Sequence, residues 1–344
     1  MKFDFIIGNP PYQDEAIGDN KTFAPPIYHK FLENAYAISE VVEMIHPARF
    51  LFNAGNTPKQ WNQEMLNNPH LKVLFYEQDS SKVFSNTEIK GGIAITYYDK
   101  RENFGQIGTF TAYSELNSVL QKVINSQEFR SFSEIVITRT AYRFTELMHH
   151  DHPEALGQLS NGHAYDMSTN IFERLPQIFF DKKPDDEFAY IQILGRESNE
   201  RIYKYIRADY VNKVINLDKY KIFLPSANGN GTLGEVLSSP IMSEPLVGAT
   251  ETFISVGSFD TETEGEAALK YIKTKFSRVL LGILKVTQHI TPEKWSYVPM
   301  QDFTESSDID WSQSVKEIDL QLYAKYDLDE QEINFIESHV KEME

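Results

Sequence analysis

Short apolar runs broken by proline and glycine alternate with longer amphipathic stretches along the N-terminal part of the chain. Phe3 to Gly8 is an apolar run that ends at a proline pair, the pattern of a buried strand entering a rigid loop. Val41 to Ile45, which precedes Pro47, and Leu71 to Tyr76, which precedes a polar turn, are runs of the same type. Between them Tyr28 to Ile38 and Pro58 to Asn67 have helical length. Strands alternating with helices predict a parallel α/β sheet. Ile89 to Tyr98, interrupted by Gly91-Gly92 and ending at Asp99-Lys100, reads as a closing strand antiparallel to its neighbour.

Beyond about Gly105 the texture becomes mixed helices and short strands with scattered Gly, Pro and Asn, and no internal repeat is visible. Glu266 to Leu284 has the length and spacing of one amphipathic helix. Val315 to Lys325 and Asp329 to Lys341 predict two terminal helices, with Asp329 as N-cap and Glu332 three residues on. A length of 344 residues suits two domains. The expected division is 1–104, 105–300 and an acidic helical segment 301–344. No stretch approaches the roughly 20 apolar residues of a spanning helix and the first residues lack a signal-peptide pattern, so a soluble cytoplasmic protein is expected.

The chain has no cysteine, which removes disulfides, thiolate metal sites and cysteine nucleophiles from consideration. No metal site is expected either, because His149, His150 and His152 are neighbours on a polar stretch without carboxylates at ligand spacing. The net charge of −17 opposes phosphate binding if it is spread evenly, but residues 301–344 alone hold thirteen acids against three lysines. Elsewhere the sign reverses. Lys270, Lys273, Lys275 and Arg278 lie in a run without acids and are candidate DNA contacts, and Arg196, Arg201, Lys204, Arg207, Lys213, Lys219 and Lys221 form a second basic run.

Asn9-Pro10-Pro11-Tyr12 follows the first predicted strand directly. Proline fixes its own φ and pushes the residue before it to an extended conformation, so Asn9 and Pro10 are held rigidly at a strand's carboxyl end, where open α/β sheets bind ligands. The exocyclic amine of adenine is a poor nucleophile because its lone pair is delocalised into the ring. Two acceptors on its hydrogens, the Asn9 side-chain oxygen and the Pro10 carbonyl, draw that pair out by electrostatic preorganisation. Tyr12 adds an aromatic face on which an extruded base can stack.

The run F-D-F-I-I-G-N-P-P-Y resembles the catalytic motif of the amino-methyltransferases of restriction-modification systems, in particular the N6-adenine type. Ile27 to Glu33 followed by Met44 to Leu51 is similar to the family's next helix and strand, and Val83 to Gly92 to its later base-pocket motif. The resemblance covers roughly the first hundred residues. It implies a partial Rossmann-like methyltransferase sheet, followed by a mixed α+β target-recognition domain. It also implies catalytic roles for Asn9, Pro10, Pro11 and Tyr12, a second stacking face in Phe84, and a place for Phe31 near the adenine of the cofactor, S-adenosylmethionine.

The family's glycine-rich cofactor loop has no counterpart before the N-P-P-Y strand. The literal G-x-G-x-x-G of Gly229 to Gly234 follows the apolar run Tyr220 to Leu224, but Pro240 leaves about two turns for a helix that should run roughly three or more. It reads as a loop of the recognition domain, in which Asn228 and Asn230 are candidate base readers. The cofactor site is therefore expected to be incomplete, finished by a second subunit or a further segment of chain. The expected partner is double-stranded DNA. Two alternatives stand beside the methyltransferase component, a non-catalytic DNA-binding specificity module and an acidic DNA mimic.

Overall fold

Phe3–Gly8 (β1) and Ser39–Pro47 (β2) run parallel, joined through the helix Tyr28–Ile38 (α1). The helix Lys59–Leu66 (α2), the strand Leu71–Glu77 (β3) and the strand Ile93–Asp99 (β4) follow, and the sheet order is β1-β2-β4-β3. Because β4 is antiparallel to both β2 and β3, the strands β1, β2 and β3 all point the same way. The parallel set predicted from strand-helix alternation is present, with the closing strand inserted between its second and third members. The link from β3 to β4 holds only a one-turn helix, Ser80–Lys82, among the described residues, so the chain doubles back instead of crossing over. Gly91 and Gly92 lie in the turn before β4, not inside it. Gly92 has φ +79°, and a Cβ there would sit 2.4 Å from the Glu77 carbonyl oxygen, which excludes any other residue.

The structure, a computed structural model, describes every residue except 1, 15–23, 54–55, 86–88, 90, 199, 230, 286–287 and 344. Two compact units make it up, Met1–Asn117 and Ser118–Glu344. The boundary falls beyond the expected residue 104, and the acidic C-terminal segment belongs to the second unit. In the first unit, α1 and α2 bring Leu32, Ala35, Trp61 and Met65 against Val42, Met44, Ala94 and Tyr98, all on one face of the sheet. Strand alternation sends Phe3, Phe5 and Ile7 to the other face, where they remain 43 %, 48 % and 71 % exposed on an edge strand.

The second unit has a three-stranded and a four-stranded sheet, so the whole is a mixed α/β protein with several sheets. Along the chain come the helix Ser114–Ile124 (α3, which crosses the unit boundary), the strand Val136–Ile137 (β5) and the short helices Glu146–Asp151 (α4), Ala155–Gln158 (α5) and Ile171–Arg174 (α6). The strands Tyr190–Glu197 (β6), Glu200–Arg207 (β7), Tyr220–Pro225 (β8), Ile241–Ser243 (β9), Val247–Ala249 (β10) and Phe253–Phe259 (β11) complete the sheets. Ile193, Ile206, Phe172, Phe223 and Phe253 share its core.

The single helix expected over Glu266 to Leu284 is two, Glu262–Lys273 (α7) and Lys275–Leu284 (α8). Thr274 breaks it. Its backbone is extended and its hydroxyl accepts from Ser277 N at 3.1 Å, so it caps the second helix. The terminal helices Val315–Lys325 (α9) and Glu330–His339 (α10) fall where the pattern put them, and Asp329 and Glu332 close a capping box.

Candidate active site

The parallel strands β1 and β2 pair up to Gly8, which lies opposite Met44, with Pro47 three residues further along β2, and the Asn9-Pro10-Pro11-Tyr12 loop leaves from the first. That loop is clasped to the entry of α1: Ile27 N donates to Tyr12 O at 3.1 Å and Asp14 N to Pro25 O at 2.9 Å. Asn9 and Pro11 are exposed, Pro10 is buried and Tyr12 is half-buried. Among the described residues, the Pro10 carbonyl accepts no hydrogen bond. The Tyr12 hydroxyl is buried and makes no hydrogen bond of normal geometry, although Asn9 lies close enough to moderate its pKa. Burial raises that pKa, and the Asn9 side chain pulls it partly back.

A cavity of about 260 Å³ opens at these strand ends, lined by Tyr12, Pro26, Tyr28, Pro47, Arg49, Thr57 and Ile89 among others. Its volume equals that of roughly nine waters of liquid, enough room for a purine. Arg49 is the cation of the described lining, which contains no carboxylate. Burial lifts the Tyr28 hydroxyl to about 12, so it stays protonated and able to donate. Behind it the fully buried His46 stacks on the Tyr28 ring at 5.6 Å and meets Thr96 Oγ1 at 2.8 Å. Burial holds His46 down at about 4, which makes it a neutral packing group and not an acid-base catalyst. Tyr28, Arg49 and Thr57 escaped the sequence reading because they approach Tyr12 only through the fold. The one available signal was Pro47, which marks a second strand end of the kind that Pro10 marks.

The other site residues, Asn9, Pro10 and Pro11 among them, are not in the described lining of this cavity. Phe84 is half-buried after the one-turn helix, its amide donating to Ser80 O at 2.9 Å, and it is not part of the cavity lining. Residues 86–88, between Phe84 and the lining residue Ile89, lie outside the described residues. Phe31 is 42 % exposed on the outer side of α1.

The basic run requires a correction. Lys275 and Arg278 are buried, and their charges are spent inside the protein. Lys275 Nζ reaches Glu337 Oε2 at 2.6 Å, and Arg278 donates to the carbonyls of Lys273, Gly234, Glu235 and Lys341. Lys270 Nζ is capped by the carbonyls of Trp311, at 2.7 Å, Ser312 and Gln313. Lys273 lines the same cavity of about 550 Å³ as these three. Lys270, Lys275 and Arg278 thus hold the C-terminal segment, which also explains why so acidic a tail lies beside them, while Lys270 and Lys273 are only half-buried.

Gly229 to Gly234 does not fit a cofactor phosphate or nucleotide. No helix follows it before β9, and Glu235 turns back to accept from Gly231 N at 3.3 Å and to pair with Lys285. A Cβ on Gly234, at φ +69°, would lie 2.5 Å from the His339 carbonyl oxygen, so this glycine serves close packing. Asn228 is buried, its amide donating to Val236 O at 3.1 Å, and so is not presented to a base edge. Asn230 lies outside the described residues.

Residues 1–84 match the family described as Eco57I restriction-modification methylase. A protein described as an uncharacterized adenine-specific methylase of Mycoplasma pneumoniae is 34 % identical over 106 residues, covering 30 % of this chain and 25 % of that protein. Two solved structures are also similar. One is the type IIG restriction endonuclease BpuSI, with TM-score 0.37 and 10 % identity over 94 % of this chain and 49 % of that one. The other is the type IIL restriction-modification enzyme MmeI in complex with DNA, with TM-score 0.39 and 8 % identity over 98 % of this chain and 56 % of that one. Likeness at that level bears on neither the fold nor the function of this chain. The chain spans 25 % of the length of the curated relative it matches. Residues 1–84, which contain Asn9-Pro10-Pro11-Tyr12, are thus similar to the Eco57I restriction-modification methylase family.

Proposed function

We propose that this chain is the adenine-holding part of an S-adenosylmethionine-dependent DNA adenine-N6 methyltransferase of a restriction-modification system, acting on a base extruded from duplex DNA. The observation that supports the reading is the Pro10 carbonyl, which accepts no hydrogen bond among the described residues, beside Asn9 at the end of β1 and two residues before Tyr12, which lines a cavity with room for a purine. The Asn9 oxygen and the Pro10 carbonyl each accept one hydrogen of the adenine amine, which localises the nitrogen lone pair. Because both are fixed before the substrate arrives, this costs no reorganisation at the moment of reaction. Tyr12 stacks on the base, and the walls of Tyr28 and Pro47 exclude water.

S-adenosylmethionine supplies the methyl group as an electrophile. The described residues do not fit it, since the one glycine-rich loop at motif spacing is filled by Glu235 and by packing against the C-terminal segment. A partner segment or subunit therefore completes the enzyme. The open edge of β1, with Phe3, Phe5 and Ile7 bare on one face, supports a continuation of the sheet there as a partial Rossmann-like half. The Ser118–Glu344 unit supplies DNA recognition.

Sequencing for N6-methyladenine in a methylation-free bacterial host tests this, with the chain expressed together with its genomic neighbour. The expected result is adenine methylation at one fixed sequence, abolished by Asn9→Ala. No mark in the presence of the neighbour, or a mark that survives Asn9→Ala, overturns the reading and leaves a non-catalytic DNA-binding module.

A further inference from the structure

With the run from Lys270 to Arg278 committed to the C-terminal segment, the second basic run becomes the place to look for phosphate contacts. Most of its charges are also answered within the protein. Lys204 pairs with Glu197 at 2.9 Å and Asp181 at 3.4 Å, Arg207 with Asp209 and Asp151, and Lys219 with Asp260. Lys221 is buried, its ammonium on the carbonyls of Lys219 at 2.7 Å and Glu244 at 2.8 Å.

Arg196 and Arg201 differ. The antiparallel register of β6 and β7 sets them directly opposite each other near the turn, a like-charge cross-strand pair that costs stability. Neither forms an ion pair with a carboxylate among the described residues. The nearest acids in the ladder, Glu197 and Glu200, form the next pair along and so point to the opposite face, where Glu197 is taken by Lys204. Arg201 spends one N–H on Ser239 O at 2.9 Å and lies 5.7 Å from the Phe253 ring centre. That fixes its plane and leaves further donors of its guanidinium. Arg196 is exposed, and Tyr203, two residues along the same face of β7, is 40 % exposed. A sheet edge that opposes two arginines without an acid between them is built for an anion that bridges them.

We propose that this end of the β6–β7 hairpin is a phosphodiester-binding site for duplex DNA, in which Arg196 and Arg201 together hold a backbone phosphate with Tyr203 alongside. The proposal deepens the DNA methyltransferase reading and rests on it. It is tested on the full chain by fluorescence anisotropy with a short labelled duplex, across a fourfold range of salt. Because the pair neutralises one phosphate, the double variant Arg196→Gln/Arg201→Gln should make the slope of log affinity against log salt shallower by about 0.9, so it loses about 3.5-fold less affinity across that range. Its melting temperature should be unchanged or higher, because a repulsive pair has been removed.

An unchanged slope in the double variant overturns the proposal while leaving DNA binding and the methyltransferase reading in place. A shallower slope accompanied by a fall in melting temperature overturns it as well, by assigning the pair a structural role. Failure of the unaltered chain to bind duplex overturns both.

Discussion

Asp319 offers a perturbation whose size follows from the geometry. It lies buried on α9, and its two carboxylate oxygens accept from the first amides of α8, Lys275 N at 3.0 Å and Phe276 N at 2.9 Å. Burial raises its pKa to about 6, against the pull of those two amides and of Arg278. A carboxyl whose folded pKa lies above its unfolded value holds its proton more tightly when folded. Stability therefore falls as pH rises between the two values, from about 3.8 to about 6. Linkage puts the penalty for ionisation at about 1.6 kcal/mol at pH 5 and about 3 kcal/mol at pH 7.5. Asp319→Asn keeps one acceptor oxygen and cannot ionise. Losing the other acceptor costs about 1–3 kcal/mol at every pH. The unambiguous prediction is thus the slope: on going from pH 5 to pH 7.5 the variant gains about 1.4 kcal/mol relative to the unaltered protein. Urea unfolding at several pH values, monitored by Trp295 and Trp311 fluorescence in this unit, measures it. A stability difference that stays flat with pH refutes the reasoning.

Three further outcomes are expected. Gly92→Ala forces a side chain into φ +79° and against the Glu77 carbonyl oxygen, so it should cost at least about 1–3 kcal/mol in urea unfolding of the first unit. Thr274→Ala removes the cap that separates α7 from α8 and should lower the stability of the second unit by about 1 kcal/mol, read in the same assay. Replacing Phe5 and Ile7 together by serine should leave the fold intact but weaken docking of the completing segment or subunit by about 1.5–3 kcal/mol for each side chain that docking buries, measured by calorimetric titration.

The elements with one strong local signal were legible in the sequence. Tyr28–Ile38 and Val315–Lys325 fall at the bounds their periodicity predicts, and the Asp329 and Glu332 cap forms as its spacing implies. The break at Thr274 was not legible, because Lys270 to Leu284 keeps an uninterrupted apolar spacing, and part of what supports the new helix start there, Asp319, comes from far along the chain. The insertion of β4 between β2 and β3 was likewise hidden, since an apolar run names a strand but not its neighbour. Basic residues were legible as charge and not as partners. The carbonyls that quench Lys270 and Arg278, and the acids that quench Lys204 and Arg207, arrive from distant segments, so the bare pair Arg196 and Arg201 emerges only from the register. At the candidate site Asn9 to Tyr12 was visible because proline writes its geometry locally, whereas Tyr28, Arg49 and Thr57 reach the cavity through tertiary structure.

The most direct test of the account is a crystal structure of the chain bound to a duplex that carries its methylated sequence, once the methylation map has identified that sequence. The account predicts one adenine out of the helix and stacked on Tyr12, its amino nitrogen within about 2.6–3.2 Å of both the Asn9 side-chain oxygen and the Pro10 carbonyl oxygen. An adenine left in the duplex, or one extruded with its amine turned away from those two oxygens, would contradict it.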